Sequence, residues 1–164
     1  MSFTPSHLAA LMLGTTAALT GFTAQAADVF PAPAPVLAPA KTDHMAAARA
    51  AIKAKDWKKS VAELTTAVKD QPNNADAHNL LAYSYRKQAT PDLPKAFEHY
   101  EIALRINPKH KGAHEYIGEA YLMDKKPAKA EEHLAQLKTI CGNTTCEEYE
   151  DLAKAIAEYK AKNK

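Results

Sequence analysis

Charged side chains are missing from the first 26 residues: no Asp, Glu, Lys or Arg precedes Asp28. Long apolar runs are missing as well. Leu8 to Phe22 is interrupted by Gly14, Thr15, Thr16 and Thr20, and it falls short of the about 20 apolar residues that a membrane span needs. Neither sign of charge is in excess, with 21 Lys and Arg against 19 Asp and Glu and a sequence pI of about 8.4. A nucleic-acid binder would concentrate basic charge on one face, so the balance argues against that class. No phosphate-binding loop, nucleophile elbow or zinc-binding helix motif occurs, which removes the sequence support for the enzyme classes they mark. Glycine is scarce, at 5, and cysteine stops at 2. The two cysteines are spaced neither C-x-x-C nor C-x-x-C-H, which argues against a thioredoxin-like redox site and against covalent haem.

What is present begins with an address. The uncharged run ends in Ala24-Gln25-Ala26, a small-x-small site of the kind signal peptidase cuts. Residues 1–26 are expected to be a cleaved secretory signal, although the n-region offers only the terminal amine and His7. Ala27 would be the mature first residue and the destination periplasmic. No Cys lies near the cleavage site, so no stable membrane anchor is expected after cleavage. Residues 27–40, with the run DVFPAPAPVLAPA, read as an extended Pro/Ala-rich linker.

From Lys41 onward the helical signal is nearly continuous, and hydrophobic residues, 46% of the chain and many of them Ala, suit close helix packing. His78, Leu81, Ala82 and Tyr85 share one face of a helix, and Ala96, Tyr100 and Ala103 share one face of the next. Pro108 ends that pair. Such a hairpin cannot bury its apolar side alone and needs neighbours of its own kind. Pro72 and Pro108 stand 36 residues apart. A further copy supplies His114, Ile117, Gly118, Tyr121, Ala130, Leu134 and Leu137. A weaker first copy has Ala47, Ala48 and Ala51, then Trp57, Val61, Leu64, Ala67 and Pro72.

This recurrence resembles the tetratricopeptide repeat (TPR), whose period is about 34 residues and whose pattern runs W-x2-L-G-x2-Y, A-x3-F, P. The resemblance covers about residues 41–144. It implies an all-α, right-handed solenoid of about three helix hairpins: 41–74 (degenerate), 75–110 with a two-residue insertion in its turn, and 111–144. The small residues Ala82 and Gly118 are expected to bring each first helix close to its partner, with Tyr85 and Tyr121 filling space between repeats. Residues 145–164 read as a capping helix over the last apolar face, with Thr145 and Glu148 placed as a capping box.

Cys141 and Cys146 flank the turn before that helix. Downstream of a secretory signal they are expected to form a disulfide, worth about 2 kcal/mol by chain entropy.

The resemblance also implies a function without a catalytic step or cofactor: recognition of a protein or peptide partner along a concave groove lined by the first helix of each hairpin. By helical spacing those faces carry Met45, Arg49, Ile52 and Lys53, then Asp76, Asn79, Tyr83, Arg86 and Lys87, then Glu115, Glu119 and Leu122. The groove should be basic in its first two repeats and acidic in its third. Tyr83 would be an aromatic anchor, Asn79 would bond peptide backbone, and Tyr83 and Arg86 would lie off the packing stripe. Met45 and Arg49 stand where the family's chaperone-tail clamp wants Lys and Asn, so capture of a free C-terminal carboxylate is not implied. The alternative is a periplasmic metal- or redox-handling protein that uses its 7 histidines or the two thiols. His110 and His114, four residues apart, are the histidines spaced to share a face, but no third ligand stands at fixed spacing.

Overall fold

The structure, a computed structural model, describes residues 43–163. The expected signal segment and the Pro/Ala linker lie outside them. The described residues form seven helices and no strand: α1 (His44–Lys53), α2 (Trp57–Asp70), α3 (Ala75–Lys87), α4 (Leu93–Ile106), α5 (Lys111–Met123), α6 (Pro127–Cys141) and α7 (Glu147–Lys162). None is long and apolar enough to cross a membrane.

Local chemistry fixes where most of these helices start. Asp43, Asp56, Asn74 and Asp92 each place a side-chain oxygen on the backbone N–H three residues on, at 3.0–3.1 Å. His110 does the same for α5 with Nδ1, 3.1 Å from Ala113 N. Each such cap satisfies one of the donors that a helix start leaves unpaired. Pro94 and Pro127 sit in the first turns of α4 and α6, where a missing N–H costs nothing. α7 starts differently from the capping box that Thr145 and Glu148 suggest. Its N-cap is Cys146, without a side-chain cap bond, and the Thr145 hydroxyl donates to Asn143 Oδ1 instead.

The helices pair as three hairpins, α1/α2, α3/α4 and α5/α6, each packed on the next, with α7 against α5 and α6. The first and third hairpins turn in the same way. Lys55 and Lys125 both adopt φ +58°, and the following residues, Asp56 and Lys126, bond back to Ala51 O and Tyr121 O. The second hairpin carries the insertion, and its loop closes instead through Asp92 N to Tyr85 O.

The core is three apolar clusters strung along the array. Ala48, Leu64 and Leu81 form the first, Ala82, Ala96, Tyr100, Ile117 and Ala120 the second, and Leu122, Ala130, Leu137, Leu152 and Ile156 the third. Tyr85 packs against the first two and Tyr121 against the last two, so these rings do bridge neighbouring repeats. A Cβ on Gly118 would come within 2.6 Å of Leu152 Cδ2, so the glycine makes room for α7. The result is an all-α solenoid of three hairpins closed by a terminal helix.

Candidate functional site

The first helices α1, α3 and α5 line one face, and α7 joins them. A cleft of about 290 Å3 opens there between Arg49 of α1, Asp76, Asn79 and Leu80 of α3, Glu115 and Tyr116 of α5, and Glu147, Glu148 and Asp151 of α7. Of the residues expected in a groove, Arg49, Asn79 and Glu115 thus share one cleft. Arg49 is exposed and lies 3.8 Å from Asp76 Oδ2. Asn79 is only 5% exposed, and its Oδ1 has no hydrogen-bond partner among the described residues. Such an atom is unusual, because buried acceptors are nearly always paired.

Glu115 is 7% exposed. Burial, reinforced by Glu119, Asp151 and Glu148, pushes its carboxyl up to about 8. Its neighbour Tyr116 is raised to about 12, by burial first and then by Glu115. Lys111 offsets part of the acidity of α7, reaching Glu148 Oε2 at 3.3 Å.

Tyr83, Arg86, Lys87 and Glu119 form a second group beside the cleft. Arg86 departs from expectation. It does not lie off the packing stripe; it is 6% exposed, paired to Glu119 and donating Nε–H to the Tyr100 hydroxyl at 3.3 Å. Its guanidinium also lies 5.4 Å from the Tyr83 ring centroid and 5.7 Å from that of Tyr116, a favourable arrangement of cation and π face. Burial works against its charge, but Tyr100 and Glu119 more than offset it and hold its pKa above the ordinary value. Tyr100 is fully buried, and burial raises its phenol. Arg86 is therefore a structural cation that links α3, α4 and α5.

Tyr83 remains half-buried in a run of rings, with Trp57 edge-on at 5.9 Å and Tyr116 at 4.9 Å. Lys87 is exposed, with Nζ 5.8 Å from the Tyr83 ring centroid. Lys53 is exposed in the last turn of α1. Sequence reasoning missed Tyr116, Trp57 as a ring neighbour of Tyr83, and the acidic wall of α7. All three depend on how helices dock, though the acidic first turn of α7 was visible in the chain.

The histidines sort into repeated clasps. His44 Nδ1 lies 2.7 Å from Glu63 Oε2. His78 and His99 face each other Nδ1 to Nδ1 at 3.1 Å, and His114 and His133 at 2.9 Å. His78 Nε2 and His114 Nε2 reach back to Pro72 O and Pro108 O. Donation to those carbonyls fixes the tautomer, leaving Nδ1 as acceptor and the second ring as donor. The ring centroids stand 5.3 and 5.2 Å apart, a separation that puts the two nitrogens end to end along one line. That line suits a shared proton; a metal ion would need both lone pairs to converge off it. His110 does not join His114; its Nε2 lies 2.9 Å from Asp76 Oδ1. Burial lowers His99 and His114, with His78 adding to the effect at His99, and it lowers His133 to about 4 with help from His114.

Cys141 closes α6 and Cys146 opens α7, with sulfurs 2.11 Å apart and Cα atoms 6.3 Å apart. Gly142 between them takes φ +70°, a left-handed conformation that glycine adopts freely. Among the described residues, Cys141, Cys146 and Glu148 form the one group of three His, Cys, Asp or Glu near enough to share a metal ion.

Known proteins share this geometry. The tetratricopeptide repeat profile matches residues 45–111 and 92–143. Among solved structures, the chain is similar to the TPR2B domain of yeast Sti1 in its pHsp70 complex, with TM-score 0.65 and 18% identity over 73% of this chain and 94% of that one. It is also similar to the TPR domain of Arabidopsis OM64, with TM-score 0.62 and 19% identity over 71% of this chain and 93% of that one. A thermophilic TPR protein of Thermus thermophilus aligns with TM-score 0.59 and 21% identity, over 71% of this chain and 61% of that one. No curated protein matches. At these identities the structural likeness speaks for the fold, and together with the profile, which spans more than half of the sequence, it makes this chain a member of the tetratricopeptide-repeat family.

Proposed function

We propose that this protein is a non-enzymatic interaction module of the cell envelope, and that it binds an extended segment or helix of a partner protein along the face of α1, α3 and α5. The TPR fold itself supports a protein–protein interaction module. The observation that carries the finer reading is Asn79. Its side-chain oxygen is buried without a partner among the described residues, in the wall of a cleft that three successive first helices build. A peptide N–H would satisfy it once the amide turned its oxygen toward the cleft, and would remove the penalty of an unpaired buried acceptor. The rings of Trp57, Tyr83 and Tyr116 lie alongside and offer the aromatic anchors on which binding energy concentrates.

The test is cross-linking capture from native cells with the full chain as bait, followed by affinity measurements on the captured partner. Asn79→Ala and Tyr83→Ala should each weaken binding by about tenfold or more, while Glu98→Ala, on the exposed side of α4, should not. Variants that stay folded and bind like wild type would exclude this face. The envelope location rests on the uncharged segment with Ala24-Gln25-Ala26 and on the cysteine pair. Intact mass of native material should begin at Ala27, and native protein should show no free thiol.

One observation favours a second reading. If the pair were reduced, Cys141, Cys146 and Glu148 could offer three ligands to a soft or borderline ion such as zinc. Metal analysis of the protein purified without reductant and after reduction decides it. Metal retained at one equivalent in the native protein would favour this reading over the disulfide.

A further inference from the structure

We propose that the segment bound on the first-helix face presents an arginine or lysine side chain to the cleft between α5 and α7, where Glu115 receives it beside Tyr116 and Asn79. This inference rests on the groove reading and names the chemistry of its ligand.

Charge is the first argument. Four carboxylates, Glu115, Glu147, Glu148 and Asp151, stand on the α5 and α7 walls of the cleft, with Asp76 on the α3 side. Among the described residues, Arg49 is the one cation in its lining. Asp76 is already engaged by His110 and Arg49, and Glu148 by Lys111. The nearest buried cation, Arg86, is committed to Glu119 and Tyr100. The acids left without a cation partner among the described residues are Glu115, Glu147 and Asp151, of which Glu115 largely keeps its proton near pH 7 until a cation arrives. An incoming cation is favoured most strongly beside Glu115, which is 7% exposed and where the surrounding protein leaves little water to screen it.

Asn79 is the second and independent argument. An acidic cluster alone would be an ordinary solvated surface, but here a nearly fully buried amide lines the same cleft with its oxygen unpartnered among the described residues. An N–H donor from a guanidinium, an ammonium or the adjoining peptide backbone supplies what that atom lacks. Tyr116 is the third. Arg86 lies 5.7 Å from its ring centroid, so the ring already accepts one guanidinium, and it also lines the cleft.

A bare metal ion fits less well. Among the described residues the acids of this cleft do not come close enough for three of them to share one ion. Their spread suits a long side chain whose charge is distributed over several donors. The state of Glu115 adds a signature. Its carboxyl is pushed up to about 8 by burial and by Glu119, Asp151 and Glu148, against the pull of Arg86. Arg49 from α1, Asp76 from α3, Lys111 from α5 and Glu147 from α7 complete the charges around the cleft. A cation beside Glu115 would lower its pKa, so binding near pH 7 should release a proton.

The experiment uses the full chain as target for a phage-displayed library of random 12-residue peptides. Selected peptides are then synthesised and measured by fluorescence anisotropy. The expected result is a recurrent Arg or Lys, and at least tenfold weaker binding when it is replaced by citrulline or norleucine. Glu115→Gln and Asp151→Asn should each weaken the cationic peptide several-fold and leave its neutral counterpart unchanged. Exchange of Arg for Lys in the peptide distinguishes the two side chains. Glu115→Gln replaces one side chain by a neutral one of the same shape, so its melting temperature should hold. Peptides that lose binding to Tyr83→Ala, yet ignore both the loss of their cation and Glu115→Gln, would overturn this inference while leaving the groove reading intact. No selected peptide at all, or peptides indifferent to Tyr83→Ala and Asn79→Ala, would overturn both.

Discussion

His44 meets a carboxylate across the first hairpin, while His78 and His114 each meet a second imidazole across the next two. The scaffold position recurs but the chemistry does not. A carboxylate accepts a hydrogen bond from a neutral or a charged ring, so the first clasp survives acid until the carboxylate itself takes a proton. A histidine pair shares one proton along its axis. With Nε2–H of the first ring held by a proline carbonyl, one added proton is tolerated at the second ring. Two added protons set N–H against N–H with like charges. The same contrast appears one column over, where Ile52, Arg86 and Leu122 stand at corresponding places in α1, α3 and α5. Two hairpins fill that place with hydrocarbon; the central one fills it with a buried ion pair. Repetition here fixes where a side chain sits and leaves open how it is satisfied.

The largest effect should come from breaking the exception in the second column. Arg86→Ala leaves Glu119 and the Tyr100 hydroxyl without their cation and should cost about 3–5 kcal/mol. The double variant Arg86→Leu/Glu119→Leu replaces both partners with hydrocarbon and should recover most of that loss, since an apolar replacement of a whole buried ion pair is often close to neutral. Denaturant midpoints of the two variants decide it. Equal losses would mean that the polar bonds to Tyr100 and Glu119, and not the filling of space, hold this hairpin.

Next in size is the exchange of clasps. His133 is held at about 4, below its ordinary 6.5, so the folded state binds fewer protons than the unfolded one. Stability is therefore complete above about pH 6.5 and falls as pH drops toward 4. After allowance for partial solvent screening the loss is on the order of 2 kcal/mol. His99 and His114 shift in the same direction. His133→Glu imports the clasp of the first hairpin and should flatten that decline, read as urea midpoints at pH 7.5 and 4.5. A decline as steep as in wild type would show that the histidine pairs are not what acid attacks.

The smallest effect concerns the turns that the first and third hairpins share. Lys55 and Lys125 adopt a left-handed conformation that disfavours a side chain by about 1–2 kcal/mol. Replacement by glycine recovers that strain less an entropic cost of about 0.5–1 kcal/mol. Lys55→Gly and Lys125→Gly should each raise the melting temperature by a few degrees at most. Gln88, which ends α3 in extended backbone, offers a control in the second hairpin, where glycine should not help.

The fold was legible because its signals are local and repeated. Pro72, Pro108, Ala82, Ala96 and Tyr100 stand at the period, and the acidic start and basic end of α7 follow from helix electrostatics alone. Arg86 was misplaced because a helical stripe drawn through α3 alone left it outside. The column shared with Ile52 and Leu122 was the readable clue that it belongs inside. The capping box at Thr145 gave way because the Thr145 hydroxyl donates to Asn143 and the N-cap falls on Cys146. The cleft could not be read, because its fourth wall comes from α7, and where α7 docks depends on Gly118 and Leu152 in three dimensions.

That seat has a consequence for how such a protein could lengthen. Leu152 takes the room of a side chain that Gly118 lacks, so the closing helix recognises a notch and not a generic apolar face. Duplication of a hairpin between α6 and α7 would present α7 with a new first helix. A first helix without glycine at that turn would press its Cβ on the Leu152 methyls, so α7 would seat there only after Leu152 turned aside. A copy inserted ahead of α7 would close the array best if it brought the notch with it.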